Sequence, residues 1–167
     1  MSPKHLDDWL NENVETDSKT SKTINKTTKR PISAIVPMHS FGFPCRIEEI
    51  IEIANNYNIP VVEDSAESLG SYYNGKHTGT FGLAGILSYN GNKTITTGGG
   101  GRIITGDEDF AKKAKHLTTT AKIPHPFEFV HNEIGYNYRL TNVNAALGVA
   151  QMEYFDILLQ NKKETSV

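Results

Sequence analysis

Apolar positions along the chain alternate between two periods, and the alternation predicts an ordered series of helices and strands. Leu6, Trp9 and Leu10 share one face after Ser2-Pro3, which predicts a short helix over residues 3–13. The stretch from Glu15 to Arg30 is rich in Lys and Thr and reads as a surface loop or connector. Ile32-Ser33-Ala34-Ile35-Val36 predicts a buried strand ended by Pro37. Ile47, Ile50, Ile51 and Ala54 recur at helical spacing and predict a helix over 47–57, after which Asn58-Ile59-Pro60 turns into a strand at Val61-Val62-Glu63. Such a β–α–β unit implies parallel strands and a right-handed crossover. Ala84–Ser88 and Arg102–Thr105 read as further strands, and Asp107 as the cap of a helix reaching about Leu117. The segment 118–131 is irregular. From Asn142 to Leu159 one long helix is expected, with Val143, Ala146, Leu147, Ala150 and Tyr154 on its apolar side. The fold class is α/β with at least a partly parallel sheet.

Composition narrows the partners more than the fold. The 167 residues are 37% hydrophobic and 22% charged, with a formal net charge of −2, so no nucleic-acid or anionic-membrane partner is expected. No apolar run approaches the roughly 20 residues of a membrane span, and Met1-Ser2-Pro3-Lys4-His5 lacks the apolar region of a signal peptide. A single cysteine, Cys45, excludes an internal disulfide and reads as a passive residue. These features make a cytoplasmic setting the expectation. The six histidines lie far apart without a ligand pattern, so no metal site is expected. His39, which follows a strand and precedes Phe41-Gly42, is either a cleft residue facing substrate or a structural one.

Candidate chemistry centres on Lys93 and Asp64. Lys93 lies in Ser88-Tyr89-Asn90-Gly91-Asn92-Lys93, between a strand and the run Gly98–Gly101, a suitable seat for an amine that forms a Schiff base. Asp64 ends an apolar strand, where open α/β sheets place ligands. An imine-forming Lys and an Asp that holds a pyridinium nitrogen are the pair that pyridoxal phosphate requires. Alone, an Asp such as Asp64 is more often a cap of the next segment, and it gains its functional reading only in company with Lys93. Ser88, at the end of its strand, either donates to a phosphate or simply ends the strand, as serines often do. The glycines are either a close approach to a cofactor or a flexible turn, and they fit neither a P-loop nor a dinucleotide fingerprint. Asn137 and Arg139 precede the last helix, where they either meet an anion or are solvated.

Taken in order, Val61–Gly70, Gly79-Thr80-Phe81-Gly82, Ser88–Gly101 and Gly135–Thr141 resemble consecutive blocks of the DegT/DnrJ/EryC1/StrS sugar aminotransferases, over roughly residues 31–160. The Asn-Gly-Asn-Lys wording is most similar to members that aminate 4-keto nucleotide sugars for surface polysaccharides or nonulosonic acids, of perosamine, legionaminic or bacillosamine type. The resemblance implies part of the large domain of a type I, aspartate-aminotransferase-like fold, with a mixed, mostly parallel sheet. It also implies a homodimer with its active site at the subunit interface, pyridoxal 5'-phosphate as cofactor and L-glutamate as amino donor. Lys93 would then form the Schiff base and shuttle a proton, Asp64 would bind the ring nitrogen, and Ser88 the phosphate. Asn137 and Arg139 would contribute to the neighbouring subunit's site. Glu67 stands where many members carry Gln or His against the cofactor, and its role stays open.

The same resemblance predicts a division into an N-terminal helix and polar linker at 1–30, large-domain sequence at 31–141, and the start of an interdomain helix at 142–167. Members are longer at both ends, so the isolated chain is expected to bind cofactor poorly and not to turn over. Two alternatives follow: a non-catalytic fragment of such an enzyme, or a sugar dehydratase of the same family. In the dehydratase branch His replaces the Schiff-base Lys, which Lys93 opposes.

Overall fold

The computed structural model describes residues 1–165, so the expected helix end near Val167 lies outside the described residues. The chain forms two compact units: Met1–Ser88 together with Arg102–Ile104, and Tyr89–Gly101 together with the chain from Thr105 onward.

In the first unit, helix α1 spans Pro3–Asn13, capped by the Ser2 hydroxyl and started by Pro3, whose missing N–H costs nothing there. The expected linker is instead a hairpin: β1 (Val14–Thr16) pairs antiparallel with β2 (Thr23–Asn25), Glu15 opposite Ile24. Two carboxyl- or amide-based turns build it. Asp17 Oδ1 accepts the N–H groups of Lys19 and Thr20 at 2.8 and 2.7 Å, and Asn25 Oδ1 accepts those of Thr27 and Thr28. Thr23 and Ile24 are buried, so the segment has its own inward face.

Helix α2 (Ile47–Asn56) buries Ile47, Ile50 and Ala54. It ends in a Schellman motif, with Asn58 at φ 53, the Asn58 N–H on Asn55 O and the Ile59 N–H on Ala54 O. The core of this unit gathers Leu10, Val14, Ile35, Ile47, Ile50, Ala54, Ile59 and Val61, so α1 and the hairpin close over α2. Truncating a buried isoleucine such as Ile50 to alanine would cost about 2–5 kcal/mol.

Strand β3 (Val62–Asp64) pairs in parallel with β6 (Ala84–Ser88), Asp64 opposite Ile86, and β6 is flanked on its other side by β7 (Gly101–Ile104). The predicted strand at 32–36 lies further along the chain than expected. Residues 35–39 run parallel to β3, with Ile35 N–H on Pro60 O, Val62 N–H on Ile35 O, Asp64 N–H on Pro37 O and His39 N–H on Asp64 O. Pro37 does not end this pairing but removes one rung of it, having no N–H to donate. A short hairpin of β4 (Tyr72–Tyr73) and β5 (Lys76–His77) leads to the loop that carries Gly79. A Cβ on Gly85, in β6, would stand 2.1 Å from the Gly79 carbonyl oxygen.

The second unit holds α3 (Glu108–Thr118), capped by Asp107 through a 2.7 Å bond from the Phe110 N–H. The expected long helix is two: α4 (Asn142–Met152) and α5 (Phe155–Thr165). Val143 and Leu147, expected to be inward, are 74% and 50% exposed, and Tyr154 falls in the break between the helices.

Candidate active site

Asp64 and Ser88 end neighbouring parallel strands at the same edge of the sheet, because the register places Asp64 beside Ile86. Both are half-buried. Asp64 Oδ1 accepts the Ala66 N–H at 3.1 Å, so the carboxylate caps its own turn while standing at the strand end. Burial alternates along β3: Val61, Glu63 and Ser65 are buried, whereas Val62 and Asp64 are half-buried.

Glu63 is the centre of a buried network that sequence reading missed. Its Oε1 accepts the N–H groups of Phe81 and Gly82 at 2.6 and 2.8 Å. Its Oε2 accepts the N–H of Gly79 at 2.7 Å and meets His39 Nε2 at 3.0 Å. Burial alone would raise the carboxyl pKa, but His39 and the three backbone donors outweigh it and hold it below its usual value. His39 is also wholly buried, and its Nδ1 accepts the Cys45 N–H at 3.2 Å. Burial opposes charge on this ring, but the Cys45 side chain and Glu63 outweigh it and raise its pKa to about 9. The Cys45 N–H opposes that charge, because at 3.2 Å it requires Nδ1 without a proton; on this geometry the ring is neutral and donates from Nε2 to Glu63. His39 therefore does not face substrate as one sequence reading expected. Both ring nitrogens are occupied inside the core. A buried carboxylate with four partners depends on residues 16 to 24 positions away, which no local pattern reveals.

Lys93, Asn137 and Arg139 belong to the second unit. Lys93 is half-buried, and its N–H returns to Asn90 O at 3.1 Å, closing the turn that presents the side chain. The residues after it are fastened to α4. Gln151 accepts the Thr96 N–H at 2.9 Å and donates to Thr96 O at 2.6 Å, while Asn144 Nδ2 donates to Thr97 O. A Cβ at Gly148, between them, would already be 3.0 Å from Thr97 Cγ2. The half-buried face of α4 is thus made of Asn144, Ala145, Gly148 and Gln151, not of the larger apolar residues that periodicity selects. Arg139 is exposed and lines a cavity of about 430 Å³ with Gly99–Gly101, Leu140 and Asn144. Asn137 is exposed, and its backbone bridges to Thr119. Glu67, half-buried, accepts the Phe41 N–H at 2.8 Å.

The donors at the strand ends, the Asp64 carboxylate and the Ser88 hydroxyl, fit a pyridoxal-type cofactor; in sequence Lys93 follows five residues after Ser88. Among the described residues, no cluster of His, Cys, Asp and Glu suits a metal, and no helix is long and apolar enough to cross a membrane.

This arrangement is that of part of an aminotransferase fold, and solved structures match it. PseC of Helicobacter pylori, an aminotransferase involved in the biosynthesis of pseudoaminic acid, superposes with a TM-score of 0.77 at 30% identity, covering 82% of this chain and 37% of that one. The DegT/DnrJ/EryC1/StrS aminotransferase family matches residues 11–166, and the chain belongs to it. GDP-perosamine synthase of Escherichia coli is 43% identical over 143 residues, 86% of this chain and 38% of that protein. The Caulobacter vibrioides GDP-perosamine synthase is 42% identical over 123 residues, 74% of this chain and 33% of that protein. The chain therefore spans between a third and two fifths of the length of these relatives.

Proposed function

We propose that the protein carrying this chain is a pyridoxal 5'-phosphate-dependent transaminase. It would move an amino group from L-glutamate to the 4-keto group of a nucleotide-linked sugar, as a cytoplasmic homodimer serving surface-polysaccharide or nonulosonic acid synthesis. The observation that carries this reading is the placement of Asp64 and Ser88 at one edge of adjacent parallel strands, with Lys93 on the turn that follows β6. The names of the relatives, GDP-perosamine synthases and an aminotransferase of pseudoaminic acid biosynthesis, support the substrate class.

The cofactor, when bound, supplies an electron sink that acidifies the carbon bearing the amino group. The chain's residues prepare that chemistry. Asp64 would hold the pyridine nitrogen through its carboxylate and favour the protonated ring. Ser88 Oγ would donate to the phosphate, and Lys93 would supply the amine that anchors the group and moves a proton at the substrate carbon. Asn137 and the Arg139 guanidinium are suited to anionic groups.

The test is covalent trapping. The protein in its native length is incubated with pyridoxal phosphate, reduced with borohydride and digested, and the modified lysine is located by mass. Modification at Lys93, lost in Lys93→Ala, together with glutamate-dependent amination of a 4-keto nucleotide sugar, is the expected result. Label on another lysine, or no amino sugar from any GDP-, UDP- or TDP-linked 4-keto sugar, would overturn the assignment.

A further inference from the structure

Phe41 occupies a conformation that a bulky aromatic seldom enters, with φ 54, yet its ring is 85% exposed and gains no core packing in return. The turn that holds it, Ser40–Gly42, is fastened to the segment after Asp64. Glu67 Oε2 accepts the Phe41 N–H at 2.8 Å, and Ser71 Oγ donates to the Gly42 carbonyl at 2.7 Å. Gly42 sits at φ 83, where a Cβ would be 3.1 Å from the Glu67 carbonyl oxygen. A strained residue that the surroundings over-determine, with its side chain facing outward, points to a use for that side chain. Its location supplies the use. Met38 bridges Asp64 in parallel, so the turn stands at the strand end from which the Asp64 carboxylate emerges, where open α/β sheets bind their ligands.

We infer that Phe41 is a substrate-facing residue that takes the C–H face of the keto sugar, and that Glu67 is the positioning residue that aims it. This deepens the proposed function and rests on it for the identity of the sugar. Beside the Asp64 strand end the reacting part of the substrate is its sugar, so the ring meets the sugar and not the nucleotide base. A ring held in one orientation before binding loses little freedom on contact, which makes a fixed aromatic an efficient platform. Glu67 then acts on substrate through the Phe41 backbone.

Calorimetric binding to the protein in its native length tests the inference without turnover. The probe is whichever of the GDP-, UDP- and TDP-linked 4-keto sugars binds most tightly, with the corresponding free nucleoside diphosphate alongside. Phe41→Ala is expected to raise Kd for the sugar nucleotide about tenfold, while affinity for the nucleoside diphosphate and the thermal midpoint stay unchanged. Glu67→Ala should reproduce that rise and remove hydrogen-exchange protection from the Phe41 amide. Glu67→Gln, which keeps an acceptor oxygen, should restore both. An unchanged sugar-nucleotide Kd in Phe41→Ala, or an equal loss of nucleoside diphosphate affinity, overturns the role of Phe41. Protection at the Phe41 amide that survives Glu67→Ala overturns the role of Glu67. Tight, Phe41-dependent binding by a protein that forms no amino sugar would overturn the proposed reaction and leave this inference standing.

Discussion

His39 Nε2 lies 3.0 Å from Glu63 Oε2, with both side chains wholly buried, and the pair joins two segments that local sequence does not connect. Through Glu63 it reaches the N–H groups of Gly79, Phe81 and Gly82, and through His39 the N–H of Cys45. The carboxylate of Asp64 is carried by the next residue along the same strand.

Glu63→Ala would leave three backbone donors and an imidazole N–H buried without partners, and is expected to cost about 3–5 kcal/mol. His39→Ala removes one partner and opens a cavity, for about 2–4 kcal/mol. Urea unfolding of both variants and of the double variant checks the coupling. A double variant no worse than Glu63→Ala is the expected result, and simple additivity would show that the pair is not a unit.

Acid should act through the same carboxylate. The folded-state pKa of Glu63 lies below its ordinary value of 4.5, so its contribution is fully present above that pH and is lost as pH falls through the lower, folded value. Thermal midpoints measured from neutral pH downward should therefore fall more steeply below 4.5 in the wild type than in Glu63→Gln. Parallel slopes for the two proteins would remove Glu63 from the acid response.

Ser65 buries a hydroxyl that has no hydrogen-bond partner. Replacing it with alanine deletes that desolvated group at little cost in packing. Ser65→Ala is expected to be neutral or stabilising by up to about 1 kcal/mol, read from the urea midpoint. A clear loss of stability would mean that the hydroxyl is satisfied in solution.

Gly85→Ala should be among the most damaging single changes in the sheet, since the new methyl would meet the Gly79 carbonyl at 2.1 Å. The backbone cannot yield without lifting the loop whose N–H groups Glu63 holds. A loss of about 3 kcal/mol or more, or failure to recover folded protein, is expected. Gly91→Ala, where no atom lies within 4 Å of the new methyl, is the control.

Gln151→Ala removes both hydrogen bonds to Thr96. Amide exchange at Thr96 should quicken, and the yield of reduced cofactor on Lys93 should fall several-fold, because the turn that presents the amine loses its brace. Unchanged exchange at Thr96 would show that α4 does not restrain this turn.

Much of the scaffold was legible in the sequence, for reasons that are local. The caps at Ser2 and Asp107 and the apolar spacing in 47–57 located α1, α3 and α2, and the apolar runs located β3 and β6. The hairpin at 14–25 was not legible, because its strands are three residues long and Thr23 is buried beside Ile24 in a polar composition. The extent of the 35–39 strand was hidden by Pro37, which deletes a donor without redirecting the chain. Candidate site residues were marked by motif order, whereas the Glu63 network and the Gln151 brace depend on contacts between distant positions. Hydrophobic periodicity even pointed to the wrong face of α4, because the half-buried face there is built from Asn144, Ala145, Gly148 and Gln151.

Asn144 and Gln151 are seven residues apart, close to two full helical turns, and they grip successive residues of the lysine loop. The helix thereby serves as a gauge whose graduations are set by its pitch. One residue inserted between the two amides would swing Gln151 by about 100° and leave Thr96 facing the wrong side chain. Substitutions along the outer surface of α4 are accordingly tolerated far more readily than any change in the length of that interval.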